Sequence, residues 1–378
     1  MTQEEEEEED TYWIAAVEAG GTSFQIAICQ VVTGGARPTI VHRREIPSDQ
    51  APHVTLEACA SFFKQFSYPY RVLGIATFGP VGLRPEHPET YGRILSTSPK
   101  EAWRNVDLLT PLREACLSNN PHIKVRLETD VNAPAWAEYL EGNGKISSCA
   151  YITGGTGVGV GLVVNHKTVH GRMHPEGGHV AVLPLPTDTF GGYSWGTNCP
   201  YGGQNTVEGL ASAVALTERL QTLQSPDAPP LQRSILSTLP DDHEIWDHAA
   251  NALASLCTTL LLTLSIEKIV LGGGVMKRPG LLQKIQRRTV ELINGYIELP
   301  ITNMSTLITT SAAGEDAGLV GAIVLAQSAC CDEEAAREQQ KLTKMKQTAF
   351  TYGIWHRLLV GSLLTAVLCK RFYRTTNK

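Results

Sequence analysis

The chain has 378 residues, a formal net charge of −6 and 19% charged residues, a balance typical of a globular protein that lacks the basic surface needed to bind nucleic acid. Its length suits two lobes better than a single core. Nine scattered cysteines without a CxxC pair, and no secretory signal, favour a reducing compartment, so we expect a cytoplasmic location.

The N-terminal part of the chain predicts an α/β fold. The acidic run MTQEEEEEED predicts a disordered tail over residues 1–10. Three apolar strand-like runs, WIAAVEA, SFQIAICQV and PTIVHRREI, then predict a meander. A helical pattern over residues 54–66, the strand YRVLGIATFG and the helical segment VDLLTPLREACL follow.

Asp130 stands where the strand HIKVRLETD ends and the helix APAWAEYLEG, closed by Gly142, begins. A carboxylate at such a point can act as a general base. The alternative interpretation is a helix N-cap, which is a common role for Asp. We expect an N-terminal lobe over residues 11–130 and a C-terminal lobe over residues 131–330.

Three Gly-rich turns, EAGGTSF, ITGGTGVGVG and LGGGVM, each follow an apolar strand-like run. Such turns direct backbone N–H groups at an anion. The first two run straight back into apolar residues, so we interpret them as hairpins that hold a polyphosphate from opposite sides of a cleft between the lobes. The candidate phosphate residues are Gly20, Gly21 and Thr22 in the first hairpin, and Gly154, Gly155, Thr156 and Gly157 in the second. A tight turn without a ligand is the alternative.

The second lobe repeats the plan of the first. The segments SCAYITGGTG, VGLVVN and KTVHGRM predict strands, with Asn165 and His166 in a turn, which is consistent with remote duplication. Helical patterns follow between residues 206 and 264, interrupted by SPDAPPLQ. The strand KIVLGGGV and the helix GLLQKIQRRTVELING complete the pattern.

Residues 331–378 form a charged linker and an apolar C-terminal segment. The apolar stretch from Leu358 to Leu368 is flanked by His356, Arg357 and Lys370 and is shorter than the roughly 20 residues that span a membrane. A packed helix or an extension without a known role is favoured over a membrane anchor or a membrane-surface helix.

Ten segments of the chain together resemble one protein family. They are EAGGTSF, ATFGPVGL, YGRILSTSPKEAWRNVDL, TDVNAPAWAE, ITGGTGVGVG, HPEGGH, CPYGG, VEGLAS, LGGGVM and EDAGLVGA. Their order resembles the bacterial-type fructokinases of the ROK family (repressor, open reading frame, kinase), over residues 13–327. The resemblance implies a two-lobed actin-like (ribonuclease-H-like) α/β fold whose cleft holds ATP and a hexose. HPEGGH and TSPKEAWRN favour fructose, and glucose or mannose is the close alternative.

The resemblance also implies roles for individual residues. Asp130 matches the catalytic base, and Asn132 either holds a sugar hydroxyl, orients the base or merely starts the helix. Sugar-binding groups are Glu176, His179 and Glu208, with Asn105 and Lys100 closing over the sugar. Gly272, Gly273 and Gly274 lie against the adenosine, unless they form a simple turn. Glu18 faces Mg²⁺ through water.

Two departures from the family pattern bear on activity and metal content. Ser23 stands where the fructokinase pattern often has Lys, which removes a cation from the first hairpin. Related kinases hold a structural zinc ion, for which this chain retains His179 and Cys199, whereas Gly202 and Asn205 stand at or near the other ligand positions. Two ligands do not make a tetrahedral zinc site, so we predict that zinc is lost unless His174 or another side chain substitutes.

Without zinc, we predict that aromatic packing holds the loop over residues 187–204. The packing residues would be Tyr193, Trp195 and Tyr201. The competing function is a non-catalytic sugar or nucleotide sensor. No helix-turn-helix segment precedes Trp13, which argues against a repressor, and the family resemblance leaves a homodimer open.

Overall fold

The computed structural model describes residues 11–33, 37–66, 68–117, 120–142, 144–186, 188–193 and 204–331, together with residue 343. The described residues up to 327 belong to one compact unit, and residues 328–331 belong to a second. The predicted acidic tail and the predicted apolar C-terminal segment lie outside the described residues. Among the helices that are described, none is both long enough and apolar enough to cross a membrane.

The first sheet has five strands in the order β3-β2-β1-β4-β5. The strands are β1 (Thr11–Ala19), β2 (Ser23–Val32), β3 (Thr39–Pro47), β4 (Tyr70–Thr77) and β5 (Lys124–Thr129). The predicted antiparallel meander of β1, β2 and β3 is confirmed, and β4 and β5 extend the sheet in parallel to β1. Most of β1 is buried, as its continuous apolar sequence predicts for a central strand.

Two helices and several aromatic rings complete the first core. The helices are α1 (Pro52–Gln65) and α2 (Leu109–Cys116). Trp103, from a short 3₁₀ turn, packs between Phe24 and Phe78, with ring centroids 5.2 and 5.5 Å away. Each such ring removes a large apolar area from water, which fixes the segment around residue 100 against the sheet.

The second sheet repeats the topology of the first, in the order β10-β9-β6-β7-β8. Its strands are β6 (Cys149–Gly154), β7 (Val158–Val164), β8 (Lys167–Thr168), β9 (Lys268–Gly272) and β10 (Ile308–Thr310). β6, β7 and β8 are antiparallel, whereas β9 and β10 run parallel to β6. The strand predicted from KTVHGRM is only the two residues of β8, and the sequence patterns did not predict β10.

Helices enclose this second sheet. They are α3 (Asn132–Glu141), α4 (Val207–Ala211), α5 (Ala213–Thr222), α6 (Ile235–Thr238), α7 (Ile245–Leu264) and α8 (Leu281–Ile293). Gly142 caps α3, as predicted. Gly161 of β7 lies so close to the carbonyl of Val131 that a Cβ atom would overlap it. This close approach positions the start of α3, and with it Asp130, beside β7.

A last helical stretch, which includes residues 317–327, contacts strand β4 and helix α3. A Cβ atom on Gly74 of β4 would overlap the carbonyl of Ala322, and one on Gly321 would lie 2.6 Å from the backbone of Ala133. Glycine therefore permits backbone contact on both sides of this helix. The helix joins the sheet of the predicted N-terminal lobe to the first helix of the predicted C-terminal lobe.

Candidate active site

The first two Gly-rich turns are hairpins, as predicted. Gly20 N–H donates to the Ser23 carbonyl at 3.0 Å, and Gly155 N–H donates to the Gly157 carbonyl at 2.8 Å. A Cβ atom on Gly21 or on Gly155 would have no protein neighbour within 4 Å. Both hairpin tips therefore present bare backbone that a ligand can approach closely.

The third Gly-rich turn packs against the second hairpin. Gly273 has a φ of 86°, a conformation that favours glycine, and a Cβ atom there would overlap the Gly154 carbonyl. Gly274 has no protein atom within 4 Å of its Cβ position. The β6-β7 hairpin and the turn after β9 thus form one continuous backbone surface, with the side-chain hydroxyl of Tyr151 against Gly272.

Asp130 follows β5, and its backbone N–H donates to the Thr77 carbonyl at 2.8 Å. The helix-start bond belongs to Thr129, whose Oγ1 accepts from Asn132 N–H at 3.0 Å, so the N-cap interpretation does not fit Asp130. Burial raises the pKa of the half-buried Asp130 carboxyl to about 6, although Lys100 opposes the rise. A carboxylate with this pKa suits a general base near neutral pH.

Glu18, near the end of β1, is the second perturbed carboxyl. Burial, followed by the negative charges of Asp130 and Asp316, raises the pKa of Glu18 to about 7. A Cβ atom on Gly318 would lie 2.5 Å from Glu18 Cδ, so glycine in the EDAG segment makes room for this carboxyl. A divalent cation would stabilise the ionised form of Glu18, which the charge of Asp130 disfavours, and the carboxylate oxygens of Glu18 are the type of ligand that Mg²⁺ takes.

Lys100 reaches the first hairpin. Its ammonium group donates to the Gly21 carbonyl, lies 3.5 Å from the Gly20 carbonyl and stands 4.2 Å from the centroid of the Phe78 ring. Burial lowers the pKa of Lys100, and the charge of Asp130 opposes that shift. The side chain that the sequence assigned to the sugar thus contacts the first hairpin.

The predicted sugar-binding groups gather around the start of β7. Glu208 Oε2 accepts from Val158 N–H at 2.9 Å, and a Cβ atom on Gly178 would overlap the Val158 carbonyl. His179 Nε2 lies 3.7 Å from Glu176 Oε2, and burial lowers the pKa of His179 to about 4. This imidazole is therefore neutral at pH 7, so its ring carries one hydrogen-bond donor and one acceptor.

The two asparagines differ in their surroundings. Asn132 is fully buried, its amide donates to Glu128 at 3.1 Å, and its oxygen accepts from Leu162 N–H at 3.0 Å. Both ends of its side chain therefore tie α3 to neighbouring strands. Asn105 is exposed with a φ of 60°, a left-handed conformation that Asn tolerates well.

A comparison with known protein families shows to which family this chain belongs. The model of the ROK family matches residues 14–329. The chain belongs to the ROK family. The predicted resemblance is confirmed, and it extends over nearly all of the described residues.

Individual ROK relatives agree with this membership. The chain is 34% identical to a fructokinase of Zymomonas mobilis over 320 residues, covering 83% of this chain and 96% of the relative. It is 32% identical to a fructokinase of Pediococcus pentosaceus over 317 residues, covering 84% and 98%. A ROK family glucokinase from Streptomyces griseus, solved in complex with glucose and AMPPNP, aligns with a TM-score of 0.60 and 21% identity over 84% of this chain and 99% of that chain. The two-lobed actin-like fold is confirmed.

The region in which the sequence analysis looked for zinc ligands is described only in part. Cys199, Gly202, Trp195 and Tyr201 lie outside the described residues, so the predicted loss of zinc and the predicted aromatic packing of that loop remain predictions. Among the residues that are described, no group of three or more His, Cys, Asp or Glu side chains is arranged to bind a metal ion. His174 is engaged elsewhere, since its Nε2 accepts from Val81 N–H at 3.3 Å.

Sequence reasoning missed one cation at the second hairpin. Arg233 Nη1 donates to Thr156 Oγ1 at 2.7 Å. Arg233 directly follows the Pro-rich interruption SPDAPPLQ and precedes α6, and no local pattern there signals a ligand contact. Only the fold brings this guanidinium to the hairpin, 77 positions away along the chain.

Proposed function

We propose that this ROK protein is an ATP-dependent hexose kinase that converts D-fructose to fructose 6-phosphate. The observation that carries the proposal is the half-buried Asp130 carboxyl, with a pKa near 6, beside a lysine that contacts a Gly-rich hairpin. The two fructokinases support fructose as the substrate, and the glucokinase complex with AMPPNP supports ATP. In this proposal the lobes are residues 11–130 and 131–330, and the substrates meet between them.

Asp130 acts as the general base. With a pKa of about 6 it is about nine-tenths ionised at pH 7, and it accepts the proton of the sugar's 6-hydroxyl as that oxygen attacks the terminal phosphorus of ATP. A positioned base contributes on the order of 10² to 10⁴ in rate. Because the helix-start bond is made by Thr129, the Asp130 carboxylate is available for this role.

The backbone N–H groups of the two hairpins hold the phosphates, and Gly272, Gly273 and Gly274 lie against the adenosine. Glu18 holds Mg²⁺ through water, and the ion neutralises phosphate charge when bound. Fixed donors and charges of this kind stabilise the transferring phosphoryl group without reorganisation during the reaction.

Glu176, His179 and Glu208 bind the sugar hydroxyls. Carboxylates accept hydrogen bonds from hydroxyl groups, and a site built in this way discriminates against analogues that lack those hydroxyls. Asn132, with both ends of its amide engaged, supports the base through the position of α3. Asn105 contributes at the rim of the site.

An ATP-consumption assay with the purified full-length protein tests the proposal, using fructose, glucose and mannose at matched concentrations. We expect the highest kcat/KM with fructose. A higher kcat/KM with glucose or mannose would reassign the substrate within the same chemistry. Measurable sugar binding with no turnover on any of the three would show a sensor instead of a kinase.

A further inference from the structure

Lys100 is attached to the rigid part of the first lobe. Its backbone N–H donates to Ser98 Oγ at 3.3 Å, and the adjoining turn is fixed by Trp103, whose indole N–H donates to the Ser48 carbonyl at 3.4 Å. Trp103 is almost completely buried. A side chain that starts from such an anchor is held in place before a ligand arrives, which is what a precise binding site requires.

The ammonium group has unused capacity for an anion. Lysine carries three N–H donors, and two of them are directed at the carbonyls of Gly20 and Gly21. Its other close neighbour is the face of the Phe78 ring. These contacting groups are neutral, and the charge of Asp130 acts on the ammonium group from nearby. A charge that is partly removed from water is stabilised further when an anion approaches it.

The first hairpin supplies no cation of its own. Gly20, Gly21 and Thr22 are uncharged, and the Ser23 hydroxyl is hydrogen-bonded to Glu45 of the neighbouring strand β3. Lys100, which lies 79 positions along the chain from Gly21, brings a positive charge into contact with this hairpin.

We propose that Lys100 is a phosphate-binding residue that holds the terminal phosphate of ATP at the first hairpin and faces Asp130 across the reacting groups. This inference deepens the proposed function and rests on it. In the step it assists, the bond from the sugar oxygen to the terminal phosphorus forms as the bond from that phosphorus to the bridging oxygen breaks. The hydroxyl proton passes to Asp130, and ADP leaves with the electron pair of the broken bond.

If Lys100 binds the terminal phosphate, its contribution to the affinity for an adenine nucleotide should depend on how many phosphates that nucleotide carries. Dissociation constants for ATP, ADP, AMP and adenosine are measured by titration calorimetry with the wild type and with Lys100→Met, which keeps the length of the side chain and removes its charge. We expect ATP to bind about 10- to 100-fold more weakly to Lys100→Met, with adenosine affinity unchanged. Lys100→Arg should retain most of the ATP affinity, because it keeps a cation at the hairpin.

Lys64→Met, the same substitution at an exposed position of α1, is the matched control and should leave every affinity unchanged.

The proposal is overturned if Lys100→Met binds ATP as tightly as the wild type, or if ATP and adenosine lose affinity equally. A raised KM for fructose with unchanged ATP affinity would show that Lys100 binds the sugar and not the phosphate. If the wild type binds ATP but phosphorylates no hexose, the proposed function fails while the same series of affinities still decides the role of Lys100. Lys100→Arg keeps the test valid if the Met variant does not fold.

Discussion

The backbone N–H of Val81 donates a hydrogen bond to Nε2 of His174 at 3.3 Å. Val81 follows the first sheet's strand β4, whereas His174 follows β8 of the second sheet, so this bond connects a segment next to one sheet with a segment next to the other. Nε2 accepts, and therefore the proton of the neutral ring sits on Nδ1, 3.4 Å from the Pro175 carbonyl. Burial lowers the pKa of His174 and keeps the ring neutral.

Replacing His174 with Phe keeps an aromatic ring but removes the acceptor. The buried N–H of Val81 would then lack its partner, and we expect the free energy of unfolding to fall by about 1–3 kcal/mol. Urea denaturation at pH 7.5 measures the change. His122→Phe, at an exposed position, is the control, and an equal loss in both variants would argue against the role of the Val81 bond.

Asp130→Asn should lower kcat by about 10² or more, because the amide cannot accept the proton. The same variant should be more stable than the wild type at pH 8. The folded-state pKa is raised from 3.8 to about 6, so the ionised carboxylate costs stability above pH 6, and this cost disappears below about pH 4. Thermal melts at pH 8 and at pH 4 measure the difference. Near-normal turnover would remove Asp130 from the base role.

The pH profile of activity should have a composite acid limb. Protonation of Asp130 below about pH 6 removes the base, and protonation of Glu18 below about pH 7 weakens the proposed Mg²⁺ site. Activity should therefore fall as the pH drops from 8 to 5. Raising the Mg²⁺ concentration should restore the part lost near pH 7 but leave the part lost near pH 6. A limb that does not respond to Mg²⁺ would contradict the assignment of Glu18.

Gly318→Ala tests the space reserved for Glu18. The new methyl group would stand 2.5 Å from Glu18 Cδ and displace the carboxyl. We expect the Mg²⁺ concentration for half-maximal activity to rise several-fold, with little change in the KM for fructose. Gly171→Ala, where a Cβ atom meets no protein atom within 4 Å, provides the comparison.

Arg233→Met tests the cation at the second hairpin. Removing the guanidinium that bonds Thr156 should raise the KM for ATP by a few-fold, about 1 kcal/mol of binding free energy, without changing the KM for fructose. Arg287→Met, which alters a largely exposed arginine on α8, should change neither. An unchanged KM for ATP in Arg233→Met would show that Arg233 forms a hydrogen bond with the hairpin but does not contribute to ATP binding.

The sequence predicted the parts of the fold that local patterns encode. The meander of β1, β2 and β3, the helix closed by Gly142 and the strand before LGGGVM follow from apolar periodicity and Gly punctuation. β10 was missed because its three residues are too few to show a period. The strand KTVHGRM was predicted too long, since only Lys167 and Thr168 pair with β7.

Within the candidate site, sequence reasoning found residues that belong to motifs and missed relationships that depend on the fold. The hairpins and Asp130 were predicted from Gly-rich turns and a strand end. The contacts of Lys100 with Gly21 and of Arg233 with Thr156 join residues more than 70 positions apart. Neither has a local signal, because a long side chain can reach in many directions until packing fixes its origin.

The helix over residues 317–327 touches β4 at Gly74 and α3 at Gly321 through backbone atoms. Contacts of this kind leave no room for a side chain between this helix and its two neighbours. The helix therefore fixes how closely β4 and the start of α3 approach it. A larger side chain there, as in Gly321→Val, would overlap the backbone of Ala133 and push the start of α3, the helix that follows Asp130, away from its place.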